Sequence, residues 1–203
     1  VVQLLALRRA NAELQLLTDA QRLRQRELEA MQTQLKVLNE ELSEQTLTDA
    51  LTGLKNRRAF DRMLATEHAR VLRTRSSVGL LMVDVDHFKA YNDQYGHQAG
   101  DQALRAVAGA IQSEARTYDH VTRYGGEEFS VILPDTHVAD ARAVAERIRL
   151  AVQALKGLHR PVTVSVGIAM STAQSTPAEL VSRADQALYQ AKQAGRNRVH
   201  TLL

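Results

Sequence analysis

The chain has 203 residues, enough for one domain of ordinary size and an appendage, and 44% of them are hydrophobic, so a sizeable core can form. A net charge of only +3 gives no support to a nucleic-acid-binding protein, because such proteins usually carry a basic stripe. The absence of cysteine excludes disulfides and thiolate metal sites, and it favours a cytoplasmic protein.

Residues 1–47 are predicted to form one long helix, because they contain neither Gly nor Pro. Apolar residues recur at alternating spacings of three and four, as in the core of a coiled coil: Leu7, Ala10, Leu14, Leu17, Leu28, Met31, Leu35, Leu38 and Leu42. The alternative is a single amphipathic helix that packs on its own domain. The narrow stripe favours a parallel two-stranded coiled coil that dimerises the chain.

Polar Gln21 and Arg24 interrupt this seam, and a second stripe (Leu16, Leu23, Ala30, Val37) repeats every seven residues on a neighbouring face. Our hypothesis is that the two stripes let the helices change register and pass on a signal. Because the sequence opens with Val rather than Met, we expect that an upstream sensor domain precedes it.

From residue 48 onward, predicted helices and strands alternate. We expect a turn and helix in 48–75, a strand at 77–86, helices at 96–117, 136–155 and 177–194, two strands within 120–133, and strands at 161–170 and 198–203. Gly195 is a stop signal for the last helix. The apolar run near 78–85 is far too short to cross a bilayer, and we find no signal peptide. This pattern predicts an α/β sandwich, with a central sheet flanked by helices.

Two acidic pairs stand out in this second part. Asp84 and Asp86 end an apolar strand and share a face of it, so they could hold a hard cation, although one of them could instead cap a following helix. His87 would point to the other face, so we do not expect it to bind metal. Glu127 and Glu128 follow two glycines in RYGGEEF, and on a strand only one of them would face Asp84. Taken alone, this pair could be a solvated hairpin turn.

Five segments together resemble the GGDEF family of diguanylate cyclases, in its GGEEF form. They are DALTGLKNRR (49–58), VDVDHFKAYNDQYGHQAGD (83–101), RYGGEEF (123–129), TVSVGIA (163–169) and RADQALYQAKQAGRN (183–197). They follow the order of the family and make 48–203 the catalytic domain. The resemblance implies a mostly antiparallel sheet flanked by helices, as in nucleotidyl cyclases. It also implies an enzyme that condenses two GTP into cyclic di-GMP and two pyrophosphates.

The resemblance assigns catalytic roles to the acids. Asp84, the backbone carbonyl of Val85, and Glu127 would hold two Mg²⁺ or Mn²⁺ ions in each GTP site. Asp86 and Glu128 would support that cluster, and Glu127 would help to deprotonate the attacking hydroxyl. Because one domain offers one GTP pocket and the product needs two GTP, two half-sites would have to face each other in a homodimer.

The resemblance also assigns the nucleotide contacts. Asn92 and Asp101 would read the guanine edge, since a carboxylate accepts hydrogen bonds from its two N–H groups and adenine lacks that donor pair. The phosphates would meet backbone N–H groups near His87 and Phe88, together with Gly125, and the cations Lys89, Lys192 and Arg196. Lys192 and Arg196 share a face if the last helix reaches both, and without the resemblance they would be a solvated helix end.

Arg116 and Asp119 form an R-x-x-D pattern nine residues before Gly125, where the family has its product-inhibition site. The pattern is common, and Arg58 with Asp61 also matches it. By the same resemblance, Arg147 would be a second contact for cyclic di-GMP. The alternative for Arg116 and Asp119 is a surface ion pair.

Three other functions compete with the cyclase. The chain could be a receptor for GTP or cyclic di-GMP that has lost turnover, but the intact acids of the GGEEF segment, Asp84 and Lys192 argue against it. It could be a coiled-coil scaffold, which leaves the acids and the lysine unexplained. It could be a related cyclase with relaxed base choice, although Asp101 favours guanine.

Overall fold

The computed structural model describes Gln15 and residues 21–22, 24–25, 28–34, 47–171 and 175–202. It divides the chain into two compact units, Val1–Thr46 and Leu47–Leu203. All described residues of the first unit are helical and exposed. Most of the predicted coiled-coil seam lies outside the described residues, so its pairing and the change of register stay predictions.

Within the described part of the second unit, six strands form one mixed sheet in the order β1-β3-β4-β2-β5-β6. The strands are β1 (Lys55–Asn56), β2 (Val78–Val85), β3 (His120–Arg123), β4 (Glu128–Pro134), β5 (Val164–Met170) and β6 (Val199–Leu202). The three inner pairings are antiparallel, and the two edge pairings, β1 with β3 and β5 with β6, are parallel. The expectation of a mostly antiparallel sheet flanked by helices is therefore confirmed.

Helices cover both faces of this sheet: α1 (Arg57–Thr74), α2 (Phe88–Tyr95), α3 (His97–Glu114), α4 (Val138–Gln153) and α5 (Pro177–Gln193). The short helix α2 is absent from the sequence prediction, because its eight residues follow β2 almost directly and place only Phe88 and Tyr91 in the core. No helix in the described part of the chain is both long and apolar enough to cross a membrane.

The central strand β2 is buried along its whole length, which explains its nearly unbroken apolar sequence. Its odd-numbered residues from 81 to 85 pack into a cluster with α2, α3 and α4, and its residues 80 and 82 pack into a second cluster with α1 and α5. Since side chains alternate along a strand, Asp84 falls on the side of α1 and α5.

Helix α5 lies unusually close to β5 at Gly167. A Cβ at this position would overlap the backbone N of Leu188 and the backbone O of Ala184. Only glycine permits this approach without displacing the helix backbone. The small residue therefore sets the depth at which α5 docks on the sheet.

We predict that Gly167→Ala lowers the free energy of unfolding by about 3 kcal/mol, because the added methyl group must push the helix backbone away from the sheet. The matched control is Gly109→Ala on the exposed face of α3, where an added Cβ meets no atom within 4 Å. Alanine should there stabilise the helix by about 0.5–1 kcal/mol. Urea unfolding of both variants measures the difference, and equal stabilities would contradict the close-approach argument.

Candidate active site

Asp84 lies at the end of the central strand, where two neighbouring strands and a helix meet. The register of the sheet places it opposite Glu128 on β4 and opposite Ser165 on β5. Directly opposed residues share a face of the sheet. On that face, near the end of α5, Lys192 Nζ lies 2.8 Å from Asp84 Oδ2.

The charge around Asp84 favours a cation. Burial raises the pKa of this carboxyl group, and the negative charges of Glu127 and Glu128 raise it further, while the hydrogen bond and the charge of Lys192 act in the opposite direction. Repulsion between neighbouring carboxylates is relieved when a positive ion enters, and carboxylate and carbonyl oxygens are the donors that Mg²⁺ prefers. The described residues contain no cluster of three or more His, Cys, Asp or Glu side chains with metal-binding geometry. The predicted donors, two carboxylates and the carbonyl of Val85, do not require one, and their chemistry fits a divalent ion.

The two glutamates occupy different positions. Glu127 precedes β4, and its carbonyl accepts a hydrogen bond of 3.2 Å from Val85 N. Glu128 begins β4, and its carboxylate folds over Gly125, where an added Cβ would come within 2.7 Å of Glu128 Oε2. By register, Glu128 is the member of the pair that shares the face of Asp84, while the charge of Glu127 also reaches Asp84.

Both carboxylate oxygens of Asp86 accept hydrogen bonds from other residues of the chain. Its two oxygens accept hydrogen bonds from Thr163 Oγ1 (2.7 Å), Ser165 Oγ (2.7 Å) and Asn197 N (3.0 Å). These bonds tie the end of β2 to β5 and to the segment after α5. An acid with both oxygens bonded in this way suits the supporting role that the resemblance assigns to it.

His87 does not lie on a strand, contrary to the prediction. β2 ends at Val85, and His87 precedes α2 in the left-handed conformation, with φ 56° and an exposed side chain. The chain turns at this point because α2 starts at Phe88 and Phe88 is buried. The turn presents the start of α2 beside the end of β2.

The glycine hairpin is fastened by a contact that sequence reasoning missed. Arg123 Nη1 lies 3.1 Å from both carboxylate oxygens of Asp49, and Arg123 Nη2 donates to the carbonyl of Gly126 at 2.7 Å. Burial tends to raise the pKa of Asp49, but hydrogen bonds from Thr52 and Arg123 and the charge of Arg123 outweigh it and lower that pKa. Both residues lie within the quoted motifs, so the signal was present, but their pairing was not visible in the sequence.

The predicted guanine residues lie where α2 meets α3. Asn92 is on α2, and its Oδ1 is one of the buried side-chain atoms in the described part of the chain that have no hydrogen-bond partner. A Cβ on Gly100 would overlap this oxygen, so the glycine leaves room for the amide. Asp101 follows Gly100 and is partly exposed. A buried acceptor without a donor is costly, so this corner suits a ligand that brings an N–H group.

The predicted phosphate contacts surround the same end of the sheet. Lys89 is exposed in the first turn of α2, and Lys192 lies in the last turn of α5. Lys192 and Arg196 would share a helix face only if the last helix reached both, and it does not, because α5 ends at Gln193 and the chain turns through Gly195 at φ 114°. Arg196 is exposed on this turn.

A cleft of about 340 Å³ opens beside Lys192 and Glu128. Its lining also includes polar Arg57, Tyr124 and Asp185, which were not predicted as site residues from the sequence. The Arg57 guanidinium lies 4.5 Å from the centre of the Tyr124 ring, a cation–π contact. Burial raises the pKa of Asp185, and the negative charge of Glu128 adds to that rise.

The structure brings the R-x-x-D residues and Arg147 to one surface. Asp119 Oδ2 accepts a hydrogen bond of 2.7 Å from Arg116 N, while its buried Oδ1 has no partner among the described residues. Burial raises the pKa of Asp119, and the charges of Arg116, His120 and Arg147 oppose that rise. Arg147 Nε lies 3.1 Å from Glu114 Oε2. An unpartnered acceptor within electrostatic reach of two guanidinium groups suits a ligand with both N–H donors and phosphates.

Comparisons with known proteins agree with these motifs. The family model described as "Diguanylate cyclase, GGDEF domain" matches residues 46–198. Diguanylate cyclase DgcP of Pseudomonas aeruginosa is 41% identical over 177 residues, which are 84% of this chain and 26% of that relative. The solved coiled coil and GGDEF domain of DgcB from Caulobacter crescentus, in complex with c-di-GMP, is similar with a TM-score of 0.75 and 34% identity, over 86% of this chain and 97% of that one. Diguanylate cyclase SiaD from Pseudomonas aeruginosa, solved in complex with its activator SiaC, has a TM-score of 0.74 and 40% identity, over 98% of this chain and 77% of that one.

We predict that Asp84→Asn becomes more stable relative to the wild type as pH rises. When the pKa of a carboxyl group is raised in the folded state, the protein loses stability as pH rises from the ordinary pKa of 3.8 through the raised pKa. Asn cannot ionise, so the variant does not undergo this loss. The gain of the variant should therefore be smallest near about pH 3 and level off above the raised pKa. Urea unfolding across this range gives the measurement.

The control is Asp49→Asn, for which we expect the opposite change of relative stability with pH. Its lowered pKa means that wild-type Asp49 stabilises the fold above 3.8 and that this contribution is lost as pH falls. The stability of Asp49→Asn should therefore fall further below that of the wild type as pH rises. Parallel pH profiles for the two variants would contradict the assigned environments.

Proposed function

This chain belongs to the family of diguanylate cyclase GGDEF domains, and from that premise we propose that it condenses two GTP into cyclic di-GMP and two pyrophosphates. The chain spans only about a quarter of the length of DgcP, so the relative's name supports the proposal without settling it. The observation that carries it is the cluster of Asp84, Glu127 and Glu128 beside the ammonium group of Lys192.

The reaction is a nucleotidyl transfer. The ribose 3′-OH of one GTP attacks the α-phosphorus of the other, the bond to the β-phosphate breaks, and pyrophosphate leaves with those electrons. The same attack in the reverse direction, by the 3′-OH of the second nucleotide on the α-phosphorus of the first, closes the ring and releases the second pyrophosphate. Asp84, the carbonyl of Val85, and Glu127 would hold two Mg²⁺ or Mn²⁺ ions, supported by Asp86 and Glu128. When bound, such ions stabilise the charge on the attacking and leaving oxygens.

The side chains of this site then act on protons and charge. Glu127 accepts the proton of the attacking hydroxyl, for which its position beside buried Asp84 is suited. Lys192 neutralises Asp84 in the structure, and it would turn toward the β- and γ-phosphates when they arrive. The exposed cations Lys89 and Arg196 add to that neutralisation.

The nucleotide is oriented at both of its ends. Asn92 and Asp101 read the guanine edge, and the unpartnered Asn92 Oδ1 supports this assignment. Backbone N–H groups near His87 and Phe88, with Gly125, approach the phosphates. Adenine lacks the adjacent N1–H and N2–H donor pair of guanine, so ATP is disfavoured.

Catalysis needs two such half-sites, and we propose that a homodimer supplies them. Residues 1–47 would form the dimerising coiled coil, 48–203 the catalytic domain, and an upstream sensor would set the register of the helices. The similarity to the coiled coil and GGDEF domain of DgcB supports this arrangement. Holding two domains together raises their effective concentration and limits their orientation. The proposed compartment is the cytoplasm.

Cyclic di-GMP would also bind to Arg116, Asp119 and Arg147 as a product inhibitor. A guanidinium fork matches phosphate or the outer edge of guanine, and the free Oδ1 of Asp119 can accept from a guanine N–H. That the DgcB structures contain c-di-GMP supports binding of the same ligand here.

We expect Glu127→Gln to lower kcat at least about a hundredfold, because an amide can neither accept the proton nor bind the metal well. The matched control is Glu146→Gln on α4, outside the site. Purified variants are incubated with GTP and Mg²⁺ or Mn²⁺, and nucleotides are resolved by chromatography. Full turnover by Glu127→Gln would remove the central assignment. A folded wild-type dimer that binds GTP without forming product would favour the receptor alternative.

Arg116→Ala should raise the concentration of cyclic di-GMP needed for half-inhibition at least about tenfold, since hydrogen bonds from a charged group are lost. Initial rates at fixed GTP over a series of product concentrations measure this. The matched control is Asp61→Ala in the other R-x-x-D pattern, which should leave inhibition unchanged. Equal inhibition of all three proteins would contradict the proposed product site.

A further inference from the structure

The segment 159–163, between α4 and β5, runs along the turn that carries the proposed phosphate contacts. We name this segment the strap. At one end Asp86 N donates to the carbonyl of Thr163 at 2.9 Å, and Thr163 Oγ1 donates to Asp86 Oδ2 at 2.7 Å. At the other end Arg160 Nη2 donates to the carbonyl of His87 at 3.2 Å. The strap therefore binds both residues that join β2 to α2.

Two features restrain Arg160 in the conformation that makes this contact. Its guanidinium carbon lies 5.6 Å from the centre of the Tyr91 ring, which is 1% exposed. Pro161 follows it, and a residue before proline is restricted to extended conformations. Both constraints reduce the conformations that the arginine must give up to reach His87.

His159 fastens the same strap to the side of α2. Its backbone N donates to the hydroxyl oxygen of Tyr91 at 3.3 Å, and its ring stacks on Tyr95 with centroids 5.0 Å apart and planes 11° apart. Tyr91 and Tyr95 are themselves in ring contact at 5.0 Å. The strap thus lies along the aromatic side of the helix that carries Lys89 and Asn92.

The turn that Arg160 contacts needs such support. His87 has φ 56°, a left-handed conformation that side chains other than glycine adopt rarely, and such residues persist where their surroundings fix them. Its carbonyl accepts two hydrogen bonds, from Tyr91 N at 3.1 Å within α2 and from Arg160. The arginine supplies the one that comes from outside the helix.

We propose that Arg160 is a positioning residue for GTP: by binding the carbonyl of His87 and packing on Tyr91, it fixes the turn 86–88 and the start of α2 in the orientation that receives the triphosphate. This inference rests on the proposed function, because it assumes that GTP binds at this turn. Arg160 touches no reacting atom, so its removal weakens substrate binding and leaves the chemical step in place.

The test compares Arg160→Met, which keeps an unbranched apolar stem and removes the donors, with Arg160→Lys, which restores a charged donor. The matched control is Arg105→Met, since Arg105 is an exposed arginine that likewise donates to a backbone carbonyl, that of Leu51 at 3.3 Å. For each protein we would measure KM and kcat for GTP, the Kd of a fluorescent GTP analogue, and amide hydrogen exchange across residues 86–95.

Arg160→Met should raise KM and the analogue's Kd about three- to tenfold while kcat at saturating GTP stays within about twofold of the wild type. Exchange in 86–95 should accelerate, Arg160→Lys should recover part of each effect, and Arg105→Met should show none. A fall in kcat at constant KM, or unchanged binding and exchange, would overturn the inference. If the wild type forms no cyclic di-GMP, the proposed function fails by itself, and the Kd and exchange results still decide the role of Arg160.

Discussion

Asp84 lies one residue before the end of the central strand with only 7% of its surface exposed, and an ionised carboxylate in such a place is costly unless a cation lies beside it. Lys192 meets this need from α5, and α5 lies against β5 at the depth that Gly167 permits. The packing of the sheet and the charge balance of the site are therefore one constraint, and the other parts of the site are arranged around it.

The remaining acids are brought to Asp84 by the register of the sheet. Antiparallel pairing places Glu128 directly opposite it, and the hairpin before Glu128 is held by the contacts of Arg123 with Asp49 and Gly126. That ion pair is part of the structure around the site, since it connects the segment before α1 to the glycine turn. These acids can lie close together because Asp49 and Asp84 each have a basic partner and Asp86 has hydrogen-bond donors within the chain.

Asp86, just beyond the end of β2, also holds the site together through its hydrogen bonds. Its bonds to Thr163, Ser165 and Asn197 connect three segments that are far apart in sequence, and each of those segments ends near the proposed phosphate contacts. The site is thus built on the end of β2, the start of β5 and the start of α2, which are held together by these hydrogen bonds. Rigid placement of this kind is what transfer between two bound nucleotides requires.

The sequence by itself determined the order of strands and helices, the buried β2 and the motifs that identify the family, because these depend on local patterns of apolar, glycine and acidic residues. It did not predict α2, whose eight residues are too short for a periodic signal, or the two-residue strand β1, while the stop signal at Gly195 correctly placed the end of the last helix close to Gln193. Only the tertiary structure decided that Lys192 meets Asp84, that Arg123 binds both oxygens of Asp49, and that Asn92 Oδ1 is left without a donor. These contacts depend on strand register and on the depth of helix packing, and such long-range geometry is not encoded by the neighbours of any one residue.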